Sequence, residues 1–155
     1  KLIDKIGRRL GAIPTSPQSR LNRALYAERL EPVYQHGTLI TRAAWEQVGG
    51  FDESLRYCGD SEFLARLCVR GVPSVRVGAT VAAFRLRAGQ LTKRRAEMIA
   101  ERAVVDAKLG LLEGPGRGAR LWARWWFRAA NLSLYAERIA RHGFVSFDDV
   151  LERAG

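Results

Sequence analysis

Four carboxylates in one short stretch, Asp52, Glu53, Asp60 and Glu62, are the residues of this chain best suited by type and spacing to move a proton. A carboxylate held within hydrogen-bond reach of a hydroxyl removes its proton as the oxygen attacks. Asp60 is the best candidate, because it follows the loop Phe51 to Gly59 and precedes a helical pattern of Phe63, Leu64, Leu67 and Cys68. At a helix start its side chain faces a surface, where it acts either as a base or as an N-cap worth about 1 kcal/mol. Glu62 lies about 200° further round the same helix, so the two acids do not form a pair on one face. Its expected role is local: a first-turn acid favoured by the helix dipole and an i, i+4 ion pair with Arg66 worth a few tenths of a kcal/mol.

Other candidates surround this pair. Asp52 and Glu53 follow Gly49-Gly50, glycines that permit a tight turn, with Phe51 either at a pocket or tucked into the core. Gln35 and His36 precede a short β-type run, where they line a cleft or serve structure. No second His or carboxylate stands at ligand spacing from His36, so no metal site is expected within the chain. Cys58 and Cys68, ten apart without a CxxC, read as buried or half-buried thiols in a reducing compartment.

The elements that must position these residues follow from periodicity and breakers. Residues 1–32 read as a partly loop-like segment with a short helix near Leu21 to Leu30. Residues 33–110 hold a short strand at Gly37 to Thr41, a helix from Arg42 to Val48 stopped by Gly49-Gly50, and a helix capped by Asp60 and ended by Gly71. One or two strands are expected from Val72 to Phe84, a turn at Ala88-Gly89, and an amphipathic helix from Leu91 to Leu109. Residues 111–155 begin at a Gly/Pro break and continue as one long helix from about Ala119 to Ala140.

That tail sets Trp122, Trp125 and Trp126 among arginines, a mixture that suits a membrane interface or a helix packed on its own domain. A structural helix would bury all three against the Leu91 to Leu109 helix; the expectation is mixed, with at least one tryptophan packed on the domain and another at the surface with the arginines. The chain has 155 residues, 47% apolar and 27% charged, which excludes disorder, collagen and disulfide scaffolds. Its formal charge is +10, and only Lys1, Lys5, Lys93 and Lys108 are lysines, leaving 22 arginines. An excess of this size points to anionic partners. No reading motif with interleaved aromatics supports nucleic acid as one.

Taken in order, Gln35 with Gly37-Thr38 and Arg42, the run Gly49-Gly50-Phe51-Asp52-Glu53, the segment Gly59 to Leu67, and Phe84-Arg85 with Gly89-Gln90-Leu91-Thr92 resemble the acceptor-side half of the family 2 glycosyltransferases. The resemblance covers roughly Val33 to Lys93. It implies an α/β chain, a partial GT-A (Rossmann-like) C-terminal half, helix-rich with a few short strands and a long C-terminal helix. It also implies inverting transfer of a sugar from a nucleotide-diphosphate sugar to a saccharide or lipid-linked acceptor, in polysaccharide biosynthesis for the bacterial cell envelope.

In that family the second acid of an acidic pair is the general base, which falls on Asp60, with Gly59 where many relatives carry the first acid. Gln35, His36, Gly49, Gly50, Phe51, Asp52, Glu53, Glu62 and Arg87 are then substrate-binding. Arg87 stands where relatives often carry a His, and its guanidinium suits diphosphate oxygens. The family's divalent cation, Mn or Mg, sits on an Asp-x-Asp of an N-terminal half. No Asp-x-Asp occurs here and the chain starts with Lys, which implies a portion lacking its donor site. The resemblance implies a cytoplasmic location at the inner face of the membrane, with peripheral contact through the tail. The rival reading is a non-catalytic basic module that binds an anionic membrane surface or partner through the Arg/Trp-rich helix.

Overall fold

A computed structural model describes residues 1–16, 22–30, 33–86, 95–113 and 115–144. The chain is mixed α/β and helix-rich. A small sheet joins β1 (Leu2–Ile3), β2 (Arg9–Gly11) and β3 (Phe84–Arg85) in the order β2-β1-β3, the first pair antiparallel and the second parallel. The helices are α1 (Asn22–Ala27), α2 (Arg42–Val48), α3 (Gly59–Val69), α4 (Arg95–Lys108), α5 (Arg117–Ala130) and α6 (Leu132–His142), with a 3-10 turn at Gln35–Gly37.

The core centres on α3, where seven consecutive residues from Glu62 to Cys68 are buried, the pattern of a helix covered all round. One side of it meets α2 through Val48, Phe63, Leu64, Leu67 and Val72. Another meets α1 through Tyr26, Ala65, Cys68 and Leu111. On its far side α1 packs Ala24 and Leu25 against Ala123 and Phe127 of α5. Each fully buried aliphatic or aromatic side chain contributes roughly 1.5–3 kcal/mol.

Local signals explain the boundaries. Thr41 caps α2 by accepting the Ala44 N–H at 3.2 Å. At the end of α3, Gly71 takes φ +72°, its N–H reaches the Cys68 carbonyl and the Val72 N–H reaches that of Leu67. This pair of bonds, with Val72 buried against Leu67, is a Schellman stop.

Several expectations need correction. The tail is two helices, because Asn131 is buried at the break, donating its side-chain amide to Phe127 O and accepting the Thr15 N–H. Residues 37–41 make no strand: the 3-10 turn is followed by extended backbone outside the sheet, with Leu39 fully exposed. Between Val72 and Phe84 only the last residue enters the sheet; Val75 is 92% exposed and Val77 and Val81 also face solvent. The N-terminal segment carries two strands where loop was expected. Asp60 is not the cap of α3: Cys58 holds that position and Asp60 lies in the first turn. The expected turn at Ala88-Gly89 lies outside the described residues.

Candidate functional site

The site is the loop from Gly49 to Cys58 folded over the first half of α3. Its anchor is Arg66, whose guanidinium meets the carbonyls of Val48, Gly49 (3.3 Å) and Gly50 (2.8 Å), satisfying the orphan oxygens where α2 ends. The glycines are needed there for different reasons. Gly49 adopts φ +80°, a left-handed conformation, and a Cβ on Gly50 would stand only 3.0 Å from the Trp45 ring. Phe51 is only half tucked in. It packs on Trp45 and Phe63 with ring centroids 5.2 and 4.9 Å apart, leaving Trp45 and Phe51 partly exposed.

Glu62 balances Arg66. Its oxygens take Arg66 Nε at 3.0 Å and Nη2 at 2.8 Å, the i, i+4 pair expected from spacing. The expected surface pair is instead buried, with Glu62 0% exposed. Lys108, from the end of α4, reaches Glu62 Oε1 at 2.7 Å and Asp52 Oδ2 at 2.8 Å. Burial pushes the Glu62 carboxyl up, but the hydrogen bonds of Arg66 and Lys108 outweigh it and hold it below its ordinary value. The Lys108 and Ser54 bonds hold Asp52 well below the usual carboxylate range, and the same contacts with Asp52 and Glu62 raise Lys108.

A second clamp also comes from α4. Glu101 accepts the backbone N–H groups of Arg56, Tyr57 and Cys58 at 2.7, 2.5 and 2.5 Å. These bonds outweigh desolvation and lower the Glu101 carboxyl. The Cys58 thiol donates to Met98 O at 3.5 Å, so the loop is held to α4 at its end.

Asp60 lies in the first turn of α3, half-buried, its Oδ1 accepting the Ser61 N–H at 2.8 Å. The preceding residue abuts the loop: a Cβ on Gly59 would lie 3.9 Å from Asp52 O. Gly49, Gly50, Phe51 and Asp52 thus lie in the loop that packs on α3, the helix that carries Asp60 in its first turn and the buried Glu62, and Glu53 is exposed in the same loop; this junction of loop and helix is the rim. His36 joins another neighbour, packing edge-on against Phe84 at 4.6 Å, while Gln35 is exposed on the same turn. That turn touches α3. Arg87 lies outside the described residues.

No protein family, curated protein or solved structure matches this chain. A divalent cation does not fit between Asp52 and Glu62, because they already share the Lys108 ammonium and Glu62 also holds Arg66. A metal there would have to displace two side-chain cations. Glu101 and Lys108 were not singled out from sequence. They lie more than forty residues from their partners in the loop, and no short-range spacing marks such a contact.

Proposed function

We propose that residues 33–93 form the acceptor-side part of an inverting glycosyltransferase of GT-A type, with Asp60 as general base. The observation that carries this reading is a contrast among the acids. Asp52, Glu62 and Glu101 are committed to cations or amides; of the other two acids Glu53 is exposed in the loop, whereas Asp60 stands half-buried in the first turn of α3 with its carboxylate held by one adjacent N–H. On this reading its second oxygen takes the proton of the acceptor hydroxyl. The hydroxyl oxygen forms its bond to the anomeric carbon as the bond to the nucleoside diphosphate breaks, and the diphosphate leaves with the electron pair. The partly exposed rings of Trp45 and Phe51, backed by the buried Phe63, offer an apolar wall against which a sugar face can stack.

The donor-binding half and its divalent cation lie outside these 155 residues on this reading, and the enzyme works on the cytoplasmic side of the membrane. The test is Asp60→Asn in the protein extended to include its upstream coding sequence, assayed with labelled nucleotide sugars. Transfer falls by ~10²–10⁴ while the circular dichroism spectrum is unchanged. Near-normal turnover would leave Asp60 a helix-end residue only.

A further inference from the structure

We propose that the outward faces of α5 and α6 rest on an anionic lipid bilayer. Helix α5 has two apolar faces. One, with Ala123 and Phe127, is buried on α1. The other points away from the domain and carries Leu121, Trp122 and Trp125, exposed by 57%, 63% and 67%. At 100° per residue these fall within one arc opposite Ala123 and Phe127, and Ala129 shares it. Arg117, Arg124 and Arg128 form a ridge along its edge, and α5 contains no acidic residue. The expectation for the tryptophans is thus met in its mixed form, since Trp126 packs on the domain, though on α1 and not on α4.

Helix α6 repeats the arrangement. Leu132, Ala136, Ile139 and Ala140 are its exposed arc, and its inward side is tied to the sheet by Glu137 with Arg9 at 2.8 Å and His142 with Leu10 O at 2.7 Å. Between the helices lies an open groove of about 820 Å³ with an apolar floor that includes Leu30, Trp125 and Leu132, and with Arg128 and Arg138 among its lining beside Glu28, which Arg124 pairs at 3.5 Å.

The chemistry selects the occupant. Arginine beside exposed indole is the composition of a headgroup boundary, where rings lie at the interface and guanidinium groups meet phosphates. A nucleic acid would use the arginines and leave Leu121, Leu132 and Ile139 in water. A bilayer with anionic headgroups meets both classes of side chain. No helix among the described residues is long and apolar enough to cross a membrane, so the contact is one of lying on the surface. This inference does not depend on glycosyl transfer.

The experiment is sedimentation of the 155-residue chain with vesicles of phosphatidylcholine, with and without phosphatidylglycerol. Binding is expected to vesicles containing phosphatidylglycerol, to weaken as salt rises, and to shift tryptophan emission to the blue. Trp122→Ser with Trp125→Ser, both at exposed positions, lowers vesicle affinity on the order of a hundredfold. Arg117→Gln with Arg128→Gln lowers it on the order of tenfold and flattens the salt dependence. No binding to anionic vesicles overturns the proposal, as does binding that the tryptophan pair does not weaken. Self-association that the same tryptophan pair abolishes, without lipid binding, would assign the face to a second copy.

Discussion

The rim over α3 and the outer faces of α5 and α6 use the same residue types to opposite ends. At the rim Trp45, Phe51 and Phe63 touch one another, and Arg66 and Lys108 are bound to carboxylates and carbonyls that fix the loop. On the tail, Trp122 and Trp125 face solvent, and of the α5 arginines Arg120 and Arg124 pair with Glu28 while Arg117 and Arg128 stand at the exposed edge. The difference teaches how to read a chain this basic. Arginine content alone says nothing about role; what matters is whether the guanidinium is spent on holding backbone or left for something outside.

Substitutions can sharpen that contrast. The largest expected effect is at the rim: Glu62→Ala leaves Arg66 buried without its carboxylate and costs about 4 kcal/mol, read by urea denaturation. Next comes a paired test on one helix. Phe127→Ala costs about 3 kcal/mol, because it opens a cavity against α1. Trp125→Ala changes stability by less than about 0.5 kcal/mol, as an exposed position should. Equal losses at the two positions would mean that the outer face is packed in solution.

The smallest effect is the pH dependence of the Lys108 bridge. Asp52, Glu62 and Glu101 have folded values below their unfolded ones, so their contribution is complete above about pH 4.5 and is lost as pH falls through the folded values. Lys108 is raised, so its contribution is complete below its unfolded value of about 10.4 and is lost as pH rises through the folded one. Lys108→Met should flatten thermal midpoint against pH on both limbs, and a profile unchanged from wild type would show that the bridge carries no net stability.

Sequence legibility followed the range of the interactions involved. Helix α2 and its stop at Gly49 were readable because cap, periodicity and glycine are neighbours in the chain. The i, i+4 pair of Glu62 and Arg66 was readable in the same way, but its burial was not, since that depends on α2 and α4 arriving from elsewhere. The valines from Val75 to Val81 alternate like a strand yet find no ladder, and alternation cannot report whether a partner strand exists. The break at Asn131 was hidden because apolar residues at helical spacing continue across it; the Thr15 N–H that seats its side chain comes from the other end of the chain. Around the loop, the Gly49 to Asp52 run and Asp60 stood out by their types, while Lys108, which holds Asp52, and Glu101, which holds the amides of Arg56 to Cys58, did not.

Helix α1 joins the two regions, with α3 on one side and α5 on the other. It has six residues, too few to hold helical structure alone in water. Its backbone hydrogen bonds therefore last only while both neighbours are in place, and the exchange of its amide protons with deuterium records whichever neighbour leaves first. Anything that pries α5 from the domain thus unlatches one flank of the helix bearing Asp60, and a lipid contact that presses α5 inward slows exchange at Leu25 and Tyr26 without touching either residue.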